Sequence, residues 1–183
     1  MKPRGDRGRL RAALWMGICL SIIQSPNVFA FASAPDGYSG AGPSDCTTCH
    51  NDANANNAPT VTLDGPATAT AGMTNSYTFT INGGPAVVGG FDVSASDGTL
   101  TDTNASGTEM ANGEVVQSTP TPFANGSLSY TFDWQAPAAN GTYTVYASGV
   151  SANDNGGSSG DGSASAVLTI QVSGAANQPP TAS

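Results

Sequence analysis

Between residues 59 and 173, apolar side chains recur at every second position, in short runs separated by turn residues. In TVTLD, Val61 and Leu63 share a face; in SYTFTIN, Tyr77, Phe79 and Ile81 oppose Ser76, Thr78 and Thr80. GGFDVSA alternates Phe91, Val93 and Ala95. LSYTFDWQ is the clearest run, with Leu128, Tyr130, Phe132 and Trp134 set against Ser129, Thr131, Asp133 and Gln135. GTYTVYASG supplies Tyr143, Val145 and Ala147, and SAVLTIQVS supplies Ala166, Leu168, Ile170 and Val172. GEVVQS, residues 113–118, is a weaker candidate. A period of two sends successive side chains to opposite faces, so each run predicts a strand with one face buried and one wet. About seven such strands, one of them aromatic-rich and central, predict an all-β, immunoglobulin-like sandwich around a single core. Trp134 belongs to that core.

The flanks break this pattern. All five basic residues (Lys2, Arg4, Arg7, Arg9, Arg11) precede the apolar run AALWMGICLSII, residues 12–23, and then QSPNVFA with Val28 and Ala30. A basic start, a short apolar stretch and small residues before a cut predict a signal peptide, residues 1–30, and an exported protein, periplasmic or extracellular. No later stretch reaches the roughly 20 apolar residues of a membrane span. Residues 31–58, rich in Gly, Pro, Ser, Asn and Asp, predict an irregular arm ahead of the sandwich at 59–173. The polar, Pro-containing residues 174–183 read as a linker towards a further module.

Cleavage after Ala30 changes the charge. Of 13 carboxylates only Asp6 is lost, while every Lys and Arg goes. The acidic remainder argues against nucleic acid or an anionic membrane as partner. Of three cysteines, Cys46 and Cys49 remain, and they stand in Cys46-Thr47-Thr48-Cys49-His50 beside the only histidine. Such a spacing serves a redox disulfide, part of a zinc site, or covalent attachment of a c-type haem. Zinc would need a carboxylate as its fourth protein ligand. A thioredoxin-type disulfide would need a βαβ setting that the arm does not offer. Haem c uses all three residues, two thiols for the vinyl groups and His50 for the iron. A hydrolytic centre finds no second histidine and no lysine after cleavage. The segment NDNGGSSGDG, residues 153–162, offers Asp154 and Asp161 as calcium ligands but reads better as a loop. The Asn-x-Ser/Thr sequons at Asn104, Asn125 and Asn140 read as turns.

GYSGAGPSDCTTCHND, followed by VTLDGP, GGFDVSASDG, YTFDWQAP and YASGVSANDNGGSSGDG, resembles bacterial exported proteins that join a CxxCH arm to a reelin-like sandwich. Some members carry a variable C-terminal anchor. The resemblance runs from about residue 37 to 172 and implies a cell-surface or periplasmic haem protein, without bringing an established reaction. Members often have a histidine near the position of Gln117.

Together these readings lead to a monohaem c-type protein that transfers electrons to a redox partner protein. The rival is an extracellular structural or adhesive module with an accessory haem. A peroxidase-like enzyme with an open iron site comes third. With His50 on one axial side, Met110 and Met73 are the remaining candidates for the other. Met110 is preferred because it precedes the segment aligned with the family histidine.

Overall fold

A computed structural model describes residues 35–50, 58–104 and 106–174; the expected signal peptide and almost all of the linker lie outside the described residues. Two antiparallel-dominated sheets face each other across one apolar core. The smaller has the order β1(Thr60–Asp64), β3(Thr74–Asn82), β9(Ser127–Gln135), β5(Thr99–Asp102). The larger runs β2(Thr68–Thr70), β11(Gly162–Ser173), β10(Gly141–Ala152), β4(Val88–Ala95), β7(Glu114–Gln117), β6(Thr108–Ala111). The two-residue β8(Thr121–Pro122) continues the edge of β4 beyond β7.

The all-β sandwich is thus present, with eleven strands among the described residues where the alternation predicts about seven. The additional ones are β2, β5, β6 and β8, each two to four residues long. A period of two is not readable over so few positions. The predicted runs fall on β1, β3, β4, β7, β9, β10 and β11.

The predicted inward residues do meet. Tyr77, Phe79, Ile81, Phe91, Val93, Phe132, Trp134, Val145 and Ile170 are all buried in one cluster. Phe91 of the large sheet stacks on Tyr130 of the small one, ring centroids 3.8 Å apart, and Trp134 meets Tyr77 edge-on at 6.2 Å. The Trp134 indole N–H donates to the Asp97 carbonyl at 2.9 Å, so its one polar atom is satisfied. The sheets approach closely at Gly149, where an added Cβ would lie 2.6 Å from Ile81 Cδ1 and 2.7 Å from Phe79 Cε1.

The face of the large sheet turned away from this core is exposed along β11, at Ser165, Val167 and Thr169, but dry at its centre. Ser165, Ser148, Asp92 and Val116 stand directly opposite one another on β11, β10, β4 and β7. Ser148, Asp92 and Val116 are fully buried. What covers them is the arm.

Candidate functional site

Residues 35–50 cross the outer face of the large sheet and are tied to it strand by strand. The Gly37 N–H donates to Glu114 Oε2 (2.5 Å) and the Tyr38 N–H to Asp92 Oδ2 (2.6 Å). The Ser39 and Ser94 hydroxyls share a hydrogen bond of 2.6 Å, and Asn112 Nδ2 donates to Asp36 Oδ2 at 2.6 Å. Further along, the Cys46 N–H donates to Ser148 Oγ (3.0 Å), Ser165 Oγ donates to Asp45 Oδ2 (2.9 Å) and Ser163 Oγ to the His50 carbonyl (2.8 Å). The hydroxyls on strand positions facing away from the core are therefore hooks for the arm.

The CxxCH itself is a short 3-10 turn, Cys46–Thr48. Asp45 caps its start, accepting the Thr47 N–H at 2.9 Å, while the Asp45 N–H donates to Thr48 Oγ1 at 3.3 Å. Burial pushes the Asp45 carboxyl up, but hydrogen bonds from the Thr47 and Ser165 hydroxyls and the Thr47 and Thr48 amides outweigh it and leave it below the usual carboxylate value. The N–H groups of Cys49 and His50 both return to the Cys46 carbonyl, at 3.4 and 2.9 Å. In a 3-10 turn, residues three apart eclipse each other, which brings both thiols to one side.

That side is the wall of a cleft. About 940 Å3 of empty space lies in it when the part open to solvent is included. Cys46, Cys49 and His50 line it together with Tyr38. Val88, Gly90, Val150 and Ala152 contribute small, mainly apolar surface, and Gln117 stands beside Gly90. Both thiols are free. Cys46 is buried, and burial pushes its thiol up to about 12, the Ser148 hydrogen bond pulling the other way and the charges of Asp92, Asp45 and Cys49 adding to the rise.

His50 is held by a residue that the motif does not contain. Its Nδ1 lies 2.8 Å from Asp161 Oδ2, in a pair where Asp161 is 1% exposed. The other oxygen, Asp161 Oδ1, accepts the Asn153 N–H at 3.0 Å. A carboxylate at Nδ1 places the ring proton there and leaves the Nε2 lone pair for a metal. The loop that delivers Asp161 is shaped by its asparagines. Asn153 Oδ1 accepts the Asn155 N–H (3.1 Å), Asn155 Oδ1 accepts the Gly157 N–H (2.9 Å), and both Asn side chains donate to the Ser159 carbonyl. Sequence reasoning weighed Asp154 and Asp161 only as calcium ligands; Asp154 lines the cleft and Asp161 faces His50. Among the described residues no three His, Cys, Asp or Glu side chains are arranged to hold a bare metal ion.

The structure does not bring either methionine to this place. Met110 is 43% exposed on the edge strand β6, opposite Val115, whose side chain points into the core. Paired residues share a face, so Met110 lies on the side of the sheet away from the arm. Met73 is 57% exposed beside Thr70 and Ser173 in a separate shallow groove. Gln117, by contrast, lines the cleft, its Oε1 accepting the Phe91 N–H where β7 leaves β4.

Fold and site together define an immunoglobulin-type β-sandwich with a CxxCH arm docked on one sheet. No family model matches the chain, and no curated protein sequence matches it. Among solved structures it is similar to the PKD domain of an M14-like peptidase from a Thermoplasmatales archaeon, with 18% identity, TM-score 0.42, and 64% of this chain and 98% of that one covered. A cohesin module from a Clostridium perfringens family 33 glycoside hydrolase gives 7% identity and TM-score 0.47, covering 63% and 97%. The CARDB domain of a Pyrococcus furiosus protein, in complex with di-metal ions, gives 18%, 0.35, 63% and 94%. At these scores the likenesses carry no argument about function. No helix among the described residues is long and apolar enough to cross a membrane.

Proposed function

We propose that the chain is an exported monohaem c-type protein of the reelin-like, CxxCH-bearing kind, and that it passes electrons to a protein partner. The observation that supports this most is the convergence of Cys46, Cys49 and His50 on one cleft, with His50 fixed through Nδ1. Cys46 and Cys49 would hold haem c through thioether bonds, and His50 Nε2 would be the axial ligand. The haem, when bound, supplies a one-electron couple at iron. The chain's own part is to fix the two thiols, orient the imidazole and turn small apolar residues towards the cofactor.

The donor set suits haem better than its rivals. A bare zinc ion requires three or four convergent protein ligands, and among the described residues no three His, Cys, Asp or Glu side chains are arranged to hold one. A thioredoxin-like redox CxxC accompanies a βαβ unit, whereas Cys46 and Cys49 lie on a 3-10 turn against a β-sandwich.

The test is covalent attachment. Protein exported from a host with cytochrome c maturation should keep one haem through denaturation and acid–organic extraction, with the pyridine haemochrome band of two thioethers. Loss of all colour on extraction overturns the proposal. A second reading, an extracellular binding module, is favoured by the hydroxyl-covered outer face of the small sheet, where Thr62, Thr80 and Ser129 align. Retention of haem-free protein on cell-wall or polysaccharide matrices would support it.

A further inference from the structure

We infer that Asp161 is the positioning residue that sets the electron affinity of the site, by making His50 a strongly donating ligand; this rests on the haem reading above. The geometry is specific. The Asp161 side chain is almost wholly enclosed, and each oxygen has one donor, His50 Nδ1 at 2.8 Å and the Asn153 N–H at 3.0 Å. One contact orients the ring and the other orients the carboxylate. A hydrogen bond to a charged acceptor in a water-poor setting is stronger than one to a neutral carbonyl. It draws the Nδ1 proton away from the ring and leaves more electron density on Nε2. A more basic axial ligand stabilises the ferric state over the ferrous, which lowers the reduction potential.

The CxxCH motif contains none of this. Asp161 comes from the loop between β10 and β11, 111 residues from His50 in the chain. The same residues hold the arm in place, because Ser163, two positions on, donates to the His50 carbonyl. The ligand therefore acquires its donor strength only when the arm is docked on the sandwich. That couples the potential of the site to the fold of a different part of the chain. The chemistry points to a low-potential centre suited to giving electrons away.

The experiment compares haem-loaded wild type, Asp161→Asn and Asp161→Glu, and adds 15N-histidine labelling, which reports a single ring because His50 is the only histidine. Asp161→Asn keeps the shape but loses the charge, and its midpoint potential should rise with covalent haem content unchanged. Asp161→Glu should move the potential back towards wild type. In the wild type the Nδ1 proton should be slow to exchange and strongly downfield. Haem-loaded Asp161→Asn with an unshifted potential overturns the inference while leaving the haem reading intact. If Asp161→Asn fails to fold, a fast-exchanging Nδ1 proton in the wild type overturns it equally. Wild type without covalent haem overturns both.

Discussion

Asp92 should make this protein less stable as the pH rises from mildly acidic to mildly alkaline, and Asp92→Asn should abolish the effect. The residue is fully buried on β4 between the arm and the sheet. Its Oδ2 accepts the Tyr38 N–H, and its Oδ1 has no hydrogen-bond partner. Glu114 and Asp36 are its charged neighbours, and all five Lys and Arg residues precede position 12. Burial pushes the Asp92 carboxyl up to about 8; the Glu114 charge adds to this, the Tyr38 N–H opposes it, and the Glu114 hydrogen bond and Asp36 charge raise it further. An unfolded Asp titrates near 4. Between the two values the folded state holds a proton that the unfolded state has lost. The contribution is therefore complete below about pH 4 and disappears as the pH rises through about 8, at a slope approaching 1.4 kcal/mol per pH unit. Release of residues 36–38 from the sheet relieves the buried charge, so arm undocking limits the loss before the sandwich itself opens. Urea unfolding at several pH values, with amide exchange at Gly37 and Tyr38, measures both effects. Wild type should lose at least about 2 kcal/mol between pH 5 and pH 8, and the two amides should lose protection over the same interval. Asp92→Asn can still accept the Tyr38 N–H and should give a markedly flatter profile. Equal slopes in the two proteins would refute the reasoning.

Three other outcomes follow from the packing. Trp134→Ala removes the largest buried side chain and leaves the Asp97 carbonyl without its donor, which should cost about 3–5 kcal/mol in chemical unfolding. Deleting residues 31–57 should leave a cooperative melt, because the apolar cluster between the sheets includes no described residue of the arm. It should also raise amide exchange along β4 and β10, whose outer faces would become wet. Met110→Ala and Met73→Ala should leave the visible spectrum of the haem-loaded protein unchanged, since neither side chain lines the cleft; loss of a band on either change would place that methionine at the iron.

Much of the sandwich was legible because its long strands carry enough positions to show a period. LSYTFDWQ has four inward aromatic or aliphatic residues, and every one is buried. TLTD and TEMA offer one or two apolar positions each, and their pairing depends on what lies beside them rather than on their own pattern. The cysteines and histidine of the site were legible for a different reason. Their spacing is local, and a short turn converts it directly into a shared direction. Asp161 was not, since nothing within a run of Asn, Gly and Ser marks which carboxylate will face a residue 111 positions away.

The docking of the arm was hidden by composition. Beyond residue 11 this chain has no lysine or arginine, and its strands fill outward positions with serine and threonine. Ser76 and Ser129 point to water from the small sheet, while Ser94 and Ser148 are covered on the large one. In the sequence the two pairs look alike, each a hydroxyl alternating with an apolar neighbour. What separates them is the next layer, and a period of two carries no information about that. The one local sign is Asp92, an acid set between Phe91 and Val93 in mid-strand, where no basic residue stands near in the chain to compensate it. A carboxylate placed there serves either water or a donor from another segment. Here the donor is the Tyr38 backbone, and the arm that brings it also brings the CxxCH turn onto β10.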